Sequence, residues 1–309
     1  ARLDIALITA DNKIAFRDQI PLTEEEDKVD KITSTFFNIM KPKVGDRRIM
    51  GLCIIIPGII DAENKRILST VIGVGYSDPV VQRFEEAFHD YPFCLLNDTA
   101  CFAYAEYVFA NITEPNFAYI NVSKGVGACL FANGKMLRGA GSNATQFGHF
   151  SVDRNGPLCA CGNHGCVERV VGENALTERA EACGIDLTRF AGRKPLYCDI
   201  GAMAEDGDAH AKELIKDLAV DLSFAISNLI TLFNPSLVVI GGMGVNLGPF
   251  FLSNIRDEVQ NSGFKEFVSN TWIQYSTLGL DSELGGAARY YIDHYYDFFE
   301  QMQGGLYAD

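Results

Sequence analysis

The sequence predicts a two-domain α/β protein, and three observations lead there. At 309 residues the chain exceeds the usual size of one domain. Apolar strand-like runs alternate with amphipathic stretches, the pattern of helices packed on a mixed sheet. Both halves open with strand hairpins, which hints at a duplicated fold.

The elements follow in chain order. LDIALITADNKIAF reads as two strands around a polar Asp-Asn-Lys turn. PLTEEEDKVDKITSTFFNIMKPK reads as an amphipathic helix with a Thr-x-x-Glu start, ending before Pro42. GLCIIIPGIID is a buried strand stopped by Pro57-Gly58; DPVVQRFEEAFHDY is helical, PFCLLND a strand and TACFAYAEYVFA a helix. The second round begins with NFAYINVSKGVGACLFANGKMLRGA, two strands separated by glycines, with a turn at Asn133-Gly134. Helices are expected over roughly 172–185 and 204–233, a buried strand at PSLVVIGGMGV and a closing helix at GGAARYYIDHYYDFFEQM.

Composition narrows the function classes. Hydrophobic residues make up 48%, enough for a sizeable core, yet no run reaches the roughly 18 apolar residues of a membrane span. Charges inside the first apolar run argue against a signal peptide. Twenty-six basic against 40 acidic residues leave a net charge of −14, so the chain by itself should bind nucleic acid poorly. The first residue is Ala, so a missing or processed N-terminus is expected. Nine cysteines, among them Cys53, Cys94, Cys101 and Cys129 in apolar stretches, fit buried thiols in a reducing cytoplasm better than a disulfide framework.

The densest chemistry lies in Gly148–Glu168, GHFSVDRNGPLCACGNHGCVE. His149, Cys159, Cys161 and Cys166 form an H-x9-C-x-C-x4-C pattern, and zinc favours four tetrahedral nitrogen and sulfur ligands. Gly156, Pro157, Gly162 and Gly165 supply the tight turns that let close thiols reach one ion. His164 is the alternative fourth ligand. Four protein donors leave no open position, so the zinc expected here is structural.

This loop resembles the signature of the ROK family, named for repressors, open reading frames and sugar kinases. PGIID at 57–61, LLNDTACFAYAE, INVSKGVGACLFANGKMLRG, NPSLVVIGGMG and LGGAARYY resemble further family segments. The resemblance implies an actin-like ATPase fold of ribonuclease H type, two α/β lobes with a sugar cleft between them. The expected lobes are residues 1–113 plus 287–309, and 114–286 with the zinc loop at 148–168. The family's kinases transfer the ATP γ-phosphoryl group to a sugar; its repressors use the same fold as a sugar sensor behind a helix-turn-helix. Homodimers or homotetramers are implied by analogy.

Resemblance also implies the site. Asn97, Asp98, Gln146, His149 and Glu168 match sugar-binding positions, and in a kinase Asp98 would be the general base, with ATP and Mg as cofactors. Capping of the helix that follows is an alternative job for Asp98. Lys124, Gly125, Gly127, Gly241 and Gly242 match nucleotide-side turns, here read as vestigial. The kinase motif D-x-G-G-T is missing from the first strand, which by pattern would sit just before residue 1. Ser123-Lys124-Gly125-Val126-Gly127 replaces G-T-G-x-G, and a long Lys side chain should crowd the backbone's approach to phosphate. Gln146 stands where the family has Glu, adding a donor where a sugar hydroxyl would meet an acceptor. The family's upstream Asn is not evident, only Ser69 and Thr70. These departures favour the sugar-sensing effector domain of a ROK-type repressor, touching DNA only through a module outside this chain. The alternative is an N-terminally truncated ATP-dependent sugar kinase.

Overall fold

The computed structural model describes residues 2–61, 66–70, 79–139, 144–190 and 192–296. The chain divides into two compact units, residues 1–111 with 140–143 and 281–309, and residues 112–139 with 144–280. The terminal helix starts earlier than position 287, and its whole length belongs with the first unit.

The first unit opens with the expected hairpin, β1 (Arg2–Ile8) antiparallel to β2 (Ile14–Pro21), turning at Asn12 with φ 66°. The next helix begins later than the Thr-x-x-Glu pattern suggests. Thr23 N–H donates to Glu26, but α1 (Lys28–Thr35) is capped by Asp27, whose carboxylate accepts from Asp30 N–H and pairs with Arg83. Pro42 does not end the helix either. A π-helical turn, Phe36–Met40, leads into α2 (Lys41–Val44), and Gly45 at φ 63° stops it. Widening the preceding turn is a known way for a helix to accommodate a proline that lacks an N–H.

β3 (Leu52–Ile56) runs parallel to β6 (Phe93–Asn97). Pro57 interrupts β3 but does not end the extended chain: β4 (Gly58–Asp61) pairs antiparallel with β5 (Arg66–Thr70). Helices α3 (Val80–Ala87) and α4 (Asp98–Phe109) complete this part. Phe36, Phe84 and Phe88 anchor its core, each at most 4% exposed, with ring contacts to Tyr91 and Phe93.

The second unit is built on one five-stranded sheet. β7 (Phe117–Val122) and β8 (Val126–Ala132) form the glycine hairpin, and β9 (Lys135–Met136) follows the turn at Asn133 and Gly134, both with positive φ. Helices α5 (Val167–Val171) and α6 (Glu173–Ala182) stand in place of one continuous 172–185 helix. Likewise α7 (Tyr197–Glu205) and α8 (Ala209–Phe233) divide at Gly207, whose φ of 95° breaks the helix before the new cap at Asp208. β10 (Leu237–Gly241), α9 (Gly248–Gln260), α10 (Lys265–Val268) and β11 (Trp272–Tyr275) follow; the last three were not anticipated. The strand order is β11-β10-β7-β8-β9, with β7 antiparallel to β8 and parallel to β10. Every residue of β7 and β10 is buried, as strands covered on both faces require. Leu214, Leu218, Leu222 and Ile226 of α8 are fully buried in the same core.

The chain returns to the first unit as α11 (Ser282–His294), packed on α4. A side chain at Gly286 would collide with the Cys101 carbonyl oxygen, so this glycine allows the two helices their close approach. The end of the predicted closing helix, beyond residue 296, lies outside the described residues.

Candidate metal centre and ligand-binding residues

The loop after the 3₁₀ turn Phe147–His149 is shaped by backbone constraints before its thiols matter. A Cβ at Gly148 would strike the Val126 carbonyl oxygen, and one at Gly165, where φ is 59°, the Asp153 carbonyl oxygen. Val152 N–H donates to Gly165, Gly165 N–H to Pro157 and Cys159 N–H to Asn163, each at 2.8–2.9 Å. These bonds fold 152–166 back on itself.

The folded loop brings four of the named residues together. One ligand atom from each of His149, Cys159, Cys161 and Cys166 lies within 4.8 Å of the other three. Cys159 Sγ is 3.6 Å from His149 Nδ1, and Cys161 Sγ is 3.6 Å from Cys166 Sγ. Zinc bonded at about 2.3 Å to sulfur and about 2.0 Å to nitrogen sets tetrahedral neighbours roughly 3.5–3.8 Å apart. The donor set fits that ion in chemistry, and the Cys159–His149 and Cys161–Cys166 pairs lie at that spacing. His164, the alternative ligand, is instead turned outward, its Nδ1 3.0 Å from the Gly156 carbonyl oxygen.

Glu168 sits in the first turn of α5, directly after the last thiol. Its Oε2 accepts from Val126 N–H at 3.3 Å and lies against Gly125, where a Cβ would crowd it. The carboxylate therefore braces the glycine hairpin with one oxygen. Gln146 is exposed at the entry to the 3₁₀ turn. Its neighbour Thr145, at φ 69°, anchors that entry by donating to the Ala128 carbonyl.

The glycine turns that the sequence matched to nucleotide-side positions are bridged by their own side chains. Ser123 Oγ donates to Asn121 Oδ1 and accepts from Met243 N–H, both at 3.1 Å. Gly242 has φ 79°, and a Cβ there would meet Asn121 and Ser123; one at Gly241 would meet the Tyr119 hydroxyl. Gly127 is an ordinary strand residue paired with Asn121, and Lys124 is exposed at the tip. The bridge made by Ser123 had no sequence signal, because Met243 is remote from it along the chain.

Asn97 and Asp98 belong to the first unit. Asn97, not Asp98, is the cap of α4: its Oδ1 accepts from Ala100 N–H at 3.1 Å, and its Nδ2 donates to Gly58 O at 2.6 Å. Asp98 is the first helical residue and accepts from Thr99 N–H at 2.8 Å. It stays partly open to solvent, yet surrounding protein pushes its carboxyl above the usual range through desolvation. Sequence reading missed Glu283, at the start of α11. Burial first, then the charges of Asp98, Asp4 and Asp281, push it up to about 7. Ser69 and Thr70 fall in β5, where only the backbone course is described.

The comparisons agree with this architecture. The ROK family profile matches residues 1–293. The xylose repressor of Bacillus subtilis is 26% identical over 250 residues, covering 81% of this chain and 62% of its own length. The chain thus spans less than two thirds of that relative. A crystal structure of a ROK family transcriptional regulator, a homologue of the Escherichia coli MLC protein, superposes with a TM-score of 0.79 at 24% identity, over 93% of this chain and 74% of the other. A ROK hexokinase from Thermus thermophilus superposes at 0.73 with 21% identity, over 98% and 96%. The fold is the actin-like ATPase fold these structures share, and the chain belongs to the ROK family.

Proposed function

We propose that this chain is the sugar-sensing effector region of a ROK-family transcriptional regulator, with a structural zinc that holds its ligand-binding loop. The observation that carries this reading over a kinase is the Ser123 bridge. Met243 N–H, at the start of a short helical turn where a phosphate oxygen could be received, already donates to Ser123 Oγ. Similarity to a repressor over 81% of the chain supports the same reading.

Zinc would be held by His149 Nδ1 and the sulfurs of Cys159, Cys161 and Cys166, and would serve only as a cross-link. His149 then keeps Nε2 for a sugar hydroxyl, and Glu168 keeps Oε1. In the first unit Asp98 keeps Oδ2, while Asn97 spends one donor and one lone pair on its capping bonds. DNA would be contacted through a module outside this chain, consistent with the charge of −14.

The test is calorimetry with a panel of hexoses, pentoses and N-acetylated amino sugars, run beside an ATP-turnover assay on the complete protein. Binding of one sugar class that weakens at least tenfold in Glu168→Gln and Asp98→Asn, without turnover, supports the sensor. Sustained phosphorylation abolished by Asp98→Asn would establish the kinase and sink the sensor.

A further inference from the structure

Positive charge in the first unit is concentrated on one short segment. KPKVGDRR, residues 41–48, carries Lys41, Lys43, Arg47 and Arg48 against a single acid, Asp46, in a chain with 26 basic and 40 acidic residues. Arginines elsewhere hold carboxylates: Arg17 pairs with Asp281, Arg83 with Asp27, Arg179 with Asp221 and Arg193 with Asp199. Among the described residues, neither Lys41 nor Arg47 meets a carboxylate.

Other contacts fix these two cations in place. Lys41 Nζ lies 5.4 Å from the centre of the Tyr91 ring and 5.5 Å from that of Phe37. Arg47 turns back on the end of α2, its Nε donating to Val44 O at 2.9 Å and its Nη2 to Lys43 O at 2.8 Å. Gly45, at φ 63°, ends the helix, so these last-turn carbonyls have no later helical N–H to accept from. The Nη1 edge of the guanidinium is left unspent. Side chains held this way lose little further freedom when a ligand arrives.

Lys41, Arg47 and Arg48 line one cavity of about 480 Å³. Its apolar side is formed by Val44, Ile49, Met50 and the Tyr91 ring, which packs edge-on against buried Phe36. Among the described residues Asp90 is the one acid in the lining, and it faces His89 at 3.3 Å. Small-molecule sites have volumes of roughly 300–1,000 Å³, and this one falls among them. Cations on one side and apolar surface on the other fit an organic anion. Three cations favour a phosphate monoester, about −1.5 to −2 at neutral pH, over a carboxylate with a single charge. The guanidinium fork also matches phosphate oxygens in pairs.

The cavity lies away from the residues of the sugar reading. Pro92 lines it, directly before β6, whereas Asn97 and Asp98 stand at the far end of that strand. The five residues of β6 span roughly 16 Å.

We propose that this cavity is a second ligand site, selective for an organic phosphate monoester, with Lys41 and Arg47 holding the phosphate and Tyr91 flanking the body of the ligand. It stands apart from the sugar reading, since none of its residues serves there. Calorimetry on the complete protein tests it, with phenyl phosphate, inorganic phosphate and benzoate as probes. Phenyl phosphate should bind at least tenfold tighter than the other two, because inorganic phosphate lacks an apolar body and benzoate lacks the second charge. Lys41→Gln and Arg47→Gln should each weaken it at least tenfold, and Lys41→Arg should keep most of the affinity. The Lys41 head makes ring contacts only, so Lys41→Gln keeps the test decisive if Arg47→Gln loosens α2. Glu168→Gln should leave phenyl phosphate binding unchanged, which separates failure of this site from failure of the sugar reading. Equal affinity for inorganic and phenyl phosphate would assign the cavity to free phosphate and overturn the organic ligand. Absence of saturable phenyl phosphate binding in the millimolar range overturns the site, as does binding that Lys41→Gln leaves intact. If phenyl phosphate fails to bind and Lys41→Gln instead lowers the salt dependence of DNA binding, the cations serve a nucleic-acid backbone and the proposal falls.

Discussion

In the second unit the sheet runs β11-β10-β7-β8-β9, and β7 has a hydrogen-bonded neighbour on either side. In the first unit the described strands form separate pairs, the β1–β2 hairpin and the parallel β3–β6 among them, and residues of β1 and β3 line one cavity of about 650 Å³. The flanking pairs nevertheless keep their places. The Phe36, Phe84 and Phe88 cluster packs under β3, and α11 holds both β3 and β1.

The sharpest test of that contrast compares equivalent core positions. Ile240→Ala, in fully buried β10, should cost about 4 kcal/mol, because a cavity opens in a closed core. Ile54→Ala, in β3, should cost about 2 kcal/mol, since that buried residue also borders the cavity. Chemical denaturation of both variants reads the difference, and equal costs would break the comparison.

Within the second unit, the metal loop offers a contrast between two glycines. Gly165→Ala meets both a positive φ and the Asp153 carbonyl, so it should cost about 2–3 kcal/mol and strip zinc from the purified protein. Gly162→Ala has positive φ but open space around it, and should cost about 1 kcal/mol with metal retained. Elemental analysis of zinc per chain separates these outcomes, and no zinc in the parent protein would refute the metal centre.

The smallest effect concerns pH and the first unit. Glu283 is raised from 4.5 to about 7, chiefly by burial, with Asp98, Asp4 and Asp281 adding to the shift and Arg17 opposing it. The folded protein then binds a proton that the unfolded chain has released. Stability present below about pH 4.5 is therefore lost as pH rises through about 7. Glu283→Gln should match the parent near pH 4 and exceed it by on the order of 1 kcal/mol at pH 8, after discounting for solvent screening. Thermal melts across that range would show the curves diverging with rising pH; parallel curves would remove Glu283 from the account.

Much of the site was legible because it is local. The spacing of His149, Cys159, Cys161 and Cys166, with glycines between them, encodes a loop that can turn tightly enough to gather four donors. The hairpins, the strand at Leu237–Gly241 and the helix after Asn97 were readable for the same reason, since periodicity and turn chemistry act within a few residues. Helix boundaries were less legible. Asp27 and not Thr23 caps α1 because Arg83, from another helix, holds its carboxylate, and Pro42 is carried through by a π turn.

By itself the sequence determined the alternating α/β elements, the metal loop and the family signature, each written in short-range spacing. Only the tertiary structure decided that Ser123 bridges the glycine turns, that Glu283 approaches Asp98, and that β1 and β3 line one cavity. Those outcomes depend on contacts between residues far apart in the chain, where no local periodicity records the partner.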